Sequence, residues 1–418
     1  MGTCRTAILA AAALCAFVVL PAARSARPAL AAPKAPAPNR TPATGLAAMK
    51  PFQTNCYVIY ARPDVGDIRG ICLRMNALSD EYYRRTRDFG GAIRSKLPFY
   101  LFSDRGDYLA AGGVPGSAGV FDGKSLMAVI GEKLDERDWR VIQHEAFHQF
   151  AAAFMGRLPS WLNEGLAEYF AEALYTGDGF VTGIIPSGRL ARLRRDIRQD
   201  KLTSFGDFMT ISHKQWSADL RTANYDQAWA MVQFLIHGDG GRYIQPLGRL
   251  VSLLDSGMRY EQAWLRSFGR DIPGFERRWR QFWLELPAEP GVELYAQATA
   301  ATLTSFLARA ACQKQGFTDA ADFLRQARQG TLKCGQNDWL PPGLLKAALG
   351  KSAKAGQWEL LTGQSKQPQL ACTLTDGTKL VGSFAVVNGQ PRDVKVRIER
   401  PATSQPASRA STATQPAR

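Results

Sequence analysis

The chain has 418 residues, of which 45% are hydrophobic and 21% are charged, as is typical of a globular protein. Its formal net charge is +15, but the basic residues are spread along the chain and belong to no nucleic-acid-binding motif, so we expect no nucleic-acid partner. We expect a solvated basic surface, with attraction to anionic cell-surface polymers as the alternative.

The first residues predict a secretory signal peptide. Arg5 precedes an apolar run that ends at Leu20, and a segment of small residues follows. We expect cleavage after Ser25 or Ala26, with Ala31 as an alternative, so that residues 1–26 are removed. The apolar run is too short for a membrane span, and no later stretch is long and apolar enough, so the mature chain has no predicted transmembrane segment. The localisation that follows is periplasmic or extracellular.

The rest of the chain divides by composition into four segments. Residues 27–48 are rich in Ala and Pro and predict a flexible linker. Pro287 and Pro290 mark a boundary between a domain at 49–288 and a small α+β module at 291–400. Residues 401–418 are rich in Ser, Thr, Ala and Pro and predict a disordered tail.

The first part of the larger domain predicts a small mixed sheet. Residues 55–61 and 97–102 are typical of strands, and residues 65–89 have helical periodicity, so the two strands should be parallel with a helical crossover. Asp122 and Gly123 lie between apolar runs at 117–121 and 124–130, which predicts a hairpin.

A His-Glu-x-x-His motif follows on a helix for which Asp135 is the candidate cap. His144 and His148 are four residues apart, so on a helix they share one face and can both bind one metal ion. Glu145 projects from the edge of that face, where it can take a proton from a water molecule.

A second helix supplies the candidate third ligand. Fifteen residues separate His148 from Glu164, which lies in the sequence Trp-Leu-Asn-Glu-Gly-Leu-Ala-Glu after Pro159. If the second helix folds back on the first, Glu164 faces the two histidines. Glu168 lies one turn later, where it can accept the outer N–H of a histidine ligand.

These two motifs together resemble the gluzincin zinc peptidases, the group of thermolysin and aminopeptidase N. The closer resemblance is to the peptidase MA-like secreted bacterial proteins, in which the gap between the two motifs is short. The resemblance implies a thermolysin-like zincin fold, with a small mixed sheet, the HExxH helix, a second ligand helix and a mostly helical C-terminal lobe. It also implies one catalytic Zn²⁺ and a peptide or protein substrate.

The resemblance implies two further parts of the site. In gluzincins an edge strand before the active helix pairs with the substrate, and Ala118, Gly119 and Val120 are the candidates here. An ordinary glycine-rich edge strand is an equal alternative. Aminopeptidases of this group hold the free amine of the substrate with a Glu in this strand. No Glu lies between Gly112 and Gly131 here, so the resemblance disfavours an amine-anchored aminopeptidase.

Tyr225 begins a helical stretch similar to the one that carries the oxyanion-stabilising tyrosine of aminopeptidase N-like enzymes, and it is the candidate oxyanion donor. A buried Tyr at a helix start is the alternative, and His213 is a rival donor. Five arginines between Arg189 and Arg198 either line a cleft for acidic groups or, as we favour, form a solvated face.

Five cysteines follow the signal peptide. Cys312–Cys334 is the disulfide that we expect first, with Cys334–Cys372 and Cys56–Cys72 as alternatives. The odd number leaves at least one thiol free or paired with another molecule.

The sequence thus predicts an exported zinc metallopeptidase in which His144, His148 and Glu164 bind the metal, Glu145 is the base, Tyr225 stabilises the oxyanion and Glu168 orients a ligand. Two alternatives remain open. One is a zinc-bearing scaffold or binding protein with little activity, which has no need of a base such as Glu145. The other is a zinc hydrolase of non-peptide amides or esters.

Overall fold

A computed structural model describes residues 44–401, except 64, 87–91, 132–133, 156–157, 220 and 363–365. The predicted signal peptide, the linker up to residue 43 and the tail from residue 402 lie outside the described residues. The chain forms two compact units, Met1–Gly291 and Val292–Arg418. Helices combine with small sheets, which confirms the predicted α+β class.

The N-terminal unit contains a five-stranded mixed sheet with the order β1-β2-β3-β5-β4. Its strands are β1 (Lys50–Gln53), β2 (Tyr57–Ala61), β3 (Leu97–Phe102), β4 (Gly119–Phe121) and β5 (Leu126–Val129). Strands β2 and β3 are parallel, as predicted, and β4 pairs antiparallel with β5 in the predicted hairpin. Gly123 has φ +90° in that turn, a conformation that glycine adopts at no steric cost.

Twelve α-helices of this unit lie in the described part of the chain, together with a two-stranded ribbon. The helices are α1 (Thr44–Ala47), α2 (Ile68–Thr86), α3 (Arg105–Ala110), α4 (Glu136–Phe154), α5 (Ser160–Ala171), α6 (Ser187–Arg198), α7 (Phe205–Phe208), α8 (His213–Ala218), α9 (Thr222–His237), α10 (Ile244–Asp255), α11 (Tyr260–Phe268) and α12 (Ile272–Glu285). The ribbon is β6 (Leu174–Tyr175) with β7 (Phe180–Val181).

Helix α4 carries the HExxH motif. Hydrogen bonds at its N-terminal cap and in its middle fix its position. Asp135 caps its first turn and forms a reciprocal capping box with Asp138, which confirms the predicted start. The side-chain amide of Gln143 donates to the backbone carbonyls of Phe170, Ala171 and Ala173, at 2.9–3.1 Å. Phe170 and Ala171 are the last two residues of α5, and Ala173 lies two residues beyond its end. Gln143 therefore ties α4 to the end of α5 beside His144.

Helix α5 also lies close to α9, and a glycine permits this approach. A Cβ built on Gly165 would lie 2.5 Å from the carbonyl oxygen of Ala228 and 2.7 Å from a methyl group of Val232. Both distances are well inside van der Waals contact, so only glycine fits here. The contact brings α9, which carries Tyr225, against the helix that carries Glu164.

Aromatic side chains fill much of the core of this unit. The largest fully buried side chains include five tryptophans, Trp161, Trp216, Trp229, Trp279 and Trp283. Trp264 is buried as well, and Phe268, Phe275 and Phe282 pack against the same core. The helical spacing of the aromatic residues after residue 260 is typical of a core-facing stripe, and the structure places them in or against the core.

The C-terminal unit has three helices and one antiparallel sheet of order β11-β10-β9-β8 in its described part. Its elements are α13 (Val292–Cys312), α14 (Ala320–Gln329), α15 (Pro342–Ala355), β8 (Gln357–Leu361), β9 (Gln369–Thr373), β10 (Lys379–Val387) and β11 (Gln390–Glu399). Asn388 and Gly389 both have positive φ in the last hairpin, a conformation that is typical of an Asn-Gly turn.

The predicted disulfide is wrong. Each of the five cysteines in the described part of the chain is a free thiol. Cys312 is the last residue of α13 and Cys334 is exposed in the segment after α14. The spacing of cysteines along the chain does not control whether two Cβ atoms face each other.

None of the helices that the structure describes is both long enough and apolar enough to span a membrane.

Candidate metal centre

Three side chains from α4 and α5 converge on one point. The Nε2 atoms of His144 and His148 are 3.0 Å apart, and Oε2 of Glu164 lies 3.4 Å from the first and 3.5 Å from the second. All three residues are buried, and together they form a group that could hold a metal ion. These are the three residues that the sequence predicted as metal ligands.

The separations of the three ligand atoms fit a small tetrahedral ion. Bonds of about 2.0–2.1 Å at tetrahedral angles place neighbouring ligand atoms about 3.3–3.4 Å apart. The observed separations of 3.0, 3.4 and 3.5 Å lie on either side of this value. Two imidazoles and a carboxylate also form a donor set that suits first-row divalent metals. The residues present therefore fit a bound metal without rearrangement of the helices.

The charge of Glu164 is favourable at this site despite its burial. Burial would raise the pKa of Glu164, but the imidazoles of His148 and His144 outweigh burial and hold that pKa well below its usual range. The carboxylate is therefore ionised, which is the state that binds a cation.

Glu168 lies behind His144, on the side away from the three ligand atoms. Its Oε1 is 3.3 Å from Nδ1 of His144, while Nε2 of the same ring faces His148 and Glu164. Burial would raise the pKa of Glu168, but the charge of Arg189 and the bond to His144 lower it to about 2. An ionised Glu168 can accept the Nδ1 proton and so present Nε2 as the metal-binding atom.

Asn163 has the equivalent position behind His148, and the sequence analysis missed this role. Its side-chain Nδ2 is 3.0 Å from Nδ1 of His148. When Nε2 binds a metal, Nδ1 carries the proton and needs an acceptor, which the Asn163 carbonyl oxygen supplies after a 180° rotation of the amide. The signal was present in the sequence, because an amide side chain directly precedes the ligand Glu164.

Glu145 lies beside the three ligands but points toward the sheet edge. Its Oε2 accepts a hydrogen bond of 2.9 Å from the backbone N–H of Phe121 in β4. Its Oε1 is buried and has no hydrogen-bond partner among the described residues. Burial raises the pKa of Glu145, against the lowering effect of the two histidines and the Phe121 N–H. One oxygen is thus held in place while the other is available to a proton.

The candidate substrate-binding residues lie at β4, which is an edge strand of the sheet. The glycine of this strand, Gly119, packs against α4. A Cβ on Gly119 would lie 2.7 Å from the side chain of Val141 in α4. Packing against α4 therefore explains this glycine whether or not a substrate pairs with the strand. On the strand's outward edge, the Ser117 hydroxyl bonds both the N–H and the carbonyl of Gly119.

The other two candidates in this segment have separate environments. Val120 packs into a small apolar cluster with Phe102, Tyr108 and Met127, so its side chain is turned into the protein. Ala118 precedes β4 and accepts a hydrogen bond from the backbone N–H of Val129. Substrate pairing at this strand stays a prediction.

Tyr225 lies in the first turn of α9, near the three candidate metal ligands. Its ring centroid is 6.5 Å from that of His144, and it also meets the ring of Trp216, with centroids 5.5 Å apart. It is half-buried, whereas its rival His213 is exposed at the start of α8. The structure therefore brings Tyr225 to the candidate site, and its oxyanion role stays a prediction.

The first arginines of α6 bond groups of the protein itself. Arg189 is buried and bonds three carboxylates of the protein, and Arg192 bonds one of them. Arg194 donates to the carbonyls of Trp283 and Leu286. Arg192 and Arg194 are half-buried and the last two arginines of the segment are exposed, so the favoured interpretation was wrong for Arg189 alone.

Residues 139–252 match a protein family described as a protein of unknown function (DUF1570). No curated protein matches the chain. The matched range runs from α4 to α10 and includes every candidate ligand as well as Glu145, Arg189 and Tyr225. The family therefore covers the metal centre and the helices around it, while its description assigns no activity.

Proposed function

We propose that this protein is an exported zinc-dependent metallopeptidase of the gluzincin type. The observation that carries the proposal is the convergence of two imidazole nitrogens and one carboxylate oxygen within 3.5 Å of one another in a buried site. The order of the motifs, HExxH followed by a helix with Asn-Glu-Gly-Leu-Ala-Glu, supports the same conclusion.

The ligands would be His144 and His148 through Nε2 and Glu164 through Oε2. A zinc ion held there would act as a Lewis acid that polarises a peptide carbonyl and lowers the pKa of a water molecule. Zinc sites with three protein ligands keep one position open for this purpose, and sites closed by four protein ligands are structural. Within the part of the chain that the structure describes, no fourth His, Cys, Asp or Glu side chain joins these three, which supports an open position.

Glu145 would accept the proton of the attacking water. The Phe121 N–H holds its Oε2, and the buried Oε1 is the atom that receives the proton. Tyr225 would donate a hydrogen bond to the oxyanion that develops on the substrate carbonyl. Glu168 and Asn163 would hold the two imidazole rings in the orientation that presents Nε2.

Glu145→Gln in the purified mature chain tests the proposal. The change keeps the size of the side chain and removes the proton acceptor, while all three ligands stay in place. We expect zinc content and melting temperature to be retained and hydrolysis of a broad peptide mixture to fall by at least about 10²–10⁴-fold. Glu289→Gln, the same change at an exposed position outside the site, is the control and should have full activity.

The same experiment separates the alternatives. A Glu145→Gln protein that hydrolyses peptides as fast as the unchanged chain would refute the mechanism. Bound zinc without hydrolysis of any peptide by the unchanged chain would favour the scaffold, and a panel of small amides and esters would then test for a non-peptide hydrolase.

A further inference from the structure

Arg189 in α6 is a buried cation that three carboxylates surround. Its Nη2 donates to Oε2 of Glu168, its Nε donates to Oδ1 of Asp226 at 2.6 Å, and its Nη1 donates to Oε1 of Glu172 at 3.4 Å. Arg189 is 8% exposed, and Glu168 and Asp226 are each 2% exposed. The guanidinium also lies over the ring of Trp229, 5.0 Å from its centroid.

All three nitrogens of this guanidinium are engaged with the protein. Two further arginines complete the cluster, because Arg192 bonds Asp226 at 2.8 Å and Arg140 lies 3.4 Å from Glu172. The cluster thus contains three carboxylates and three guanidinium groups, so its formal charge is zero. A substrate carboxylate would have to displace a buried internal ion pair to reach Arg189, which makes substrate binding a poor explanation for this residue.

Arg189 and His144 contact different oxygens of the Glu168 carboxylate, and this arrangement indicates a different role for Arg189. Arg189 binds Oε2, while Oε1 faces Nδ1 of His144 at 3.3 Å. A carboxylate held at one oxygen by a planar, buried guanidinium has little freedom to rotate. The direction of Oε1, and with it the orientation of the His144 ring, therefore depends on Arg189.

We propose that Arg189 is a positioning residue of the metal centre, which fixes His144 through Glu168. The inference rests on the metal site of the proposed function and does not require peptide hydrolysis. It adds a third layer behind the ligands, since Arg189 acts on His144 only through the carboxylate of Glu168.

The same guanidinium also fixes the start of α9. Asp226 follows Tyr225 near the N-terminal end of that helix, and its two oxygens are held by Arg189 and Arg192. A single residue of α6 therefore connects the helix of Glu168 with the helix of Tyr225. The two candidate functional groups on α5 and α9 are kept in register by this pair of bonds.

The test measures zinc affinity by competition with a chelator in the full mature chain, together with the visible spectrum of the Co²⁺-substituted protein. The variants are Arg189→Gln, Glu168→Gln and the double variant. Arg194→Gln is the matched control, because Arg194 lies on the same helix and, among the described residues, bonds only the carbonyls at and after the end of α12. If Arg189→Gln is not recovered folded, Arg189→Lys replaces it.

We expect Arg189→Gln to weaken zinc binding by about 10–100-fold and to alter the Co²⁺ spectrum. The double variant should bind zinc within about twofold of Glu168→Gln, because Arg189 acts through that carboxylate. Arg194→Gln should retain the affinity and the spectrum of the unchanged chain. Arg189→Lys retains the positive charge but lacks the planar guanidinium with its several N–H donors. Its zinc affinity should fall between those of the unchanged chain and Glu168→Gln.

Three results would overturn the inference. They are an unchanged zinc affinity in folded Arg189→Gln or Arg189→Lys, an equal loss in Arg194→Gln, and a double variant whose loss is the product of the two single losses. A chain that binds zinc normally but hydrolyses no peptide would contradict the proposed function alone. A chain that binds no zinc would contradict both.

Discussion

The contact between α5 and α9 at Gly165 makes a prediction that can be worked from distances. In Gly165→Ala the new Cβ would lie 2.5 Å from the Ala228 carbonyl oxygen, 0.9 Å inside the 3.4 Å at which ordinary contact begins. It would also lie 2.9 Å from the Ala228 carbonyl carbon and 2.7 Å from Cγ2 of Val232. A methyl group can rotate away, but a carbonyl inside a helix cannot, so α9 must move as a whole.

Two effects oppose each other in this variant. Overpacking of a filled interior costs about 1–3 kcal/mol, and the upper part of the range applies where backbone must move. Replacing Gly by Ala within a helix returns about 1 kcal/mol. We expect a net loss of about 1–2 kcal/mol in the free energy of unfolding, or a melting temperature lower by about 2–8 °C for a unit of this size. Because Glu164 adjoins Gly165, zinc affinity should fall as well.

Urea and thermal unfolding of the metal-free chain measure the first effect, and chelator competition measures the second. Gly188→Ala in α6 is the matched control, since a Cβ there meets nothing within 4 Å. That variant should be as stable as the unchanged chain or slightly more stable. If Gly165→Ala is as stable as Gly188→Ala, the close approach of α5 and α9 is wrong.

Three further predictions concern the metal centre. Glu164→Ala should lose stoichiometric zinc, whereas Glu168→Ala should weaken binding by about 10–100-fold; elemental analysis decides, and the reverse order would mean that the roles of the two carboxylates are exchanged. Tyr225→Phe should retain zinc and lower kcat by about 10²–10³-fold, as for one oxyanion donor; an unchanged kcat would remove Tyr225 from the mechanism. Removal of the metal by a chelator should abolish hydrolysis and lower the melting temperature, because the ion binds only the folded site, and added zinc should restore both; hydrolysis that persists in the metal-free chain would exclude zinc catalysis.

Local patterns in the sequence determined much of this protein. The spacing of His144 and His148 places both rings on one helical face wherever that helix lies, because the α-helical repeat is a property of the backbone. Asp135 at the cap and Asp122-Gly123 in the hairpin act on their immediate neighbours, so their roles were readable without tertiary contacts. The α+β class followed from the same local signals.

The tertiary structure decided the contacts that join residues distant in the chain. Arg189 and Asp226 are 37 positions apart, and nothing local shows that the first arginine of this run is turned inward onto carboxylates of two other helices. Gly119 is a candidate substrate-binding residue in the sequence, and only the folded structure shows that a Cβ there would meet Val141 of α4. The disulfide prediction failed for the same reason, since the spacing of two cysteines in the sequence does not specify where their side chains point. Burial, ion pairing and close packing depend on which surfaces meet, and that information is distributed over the whole chain.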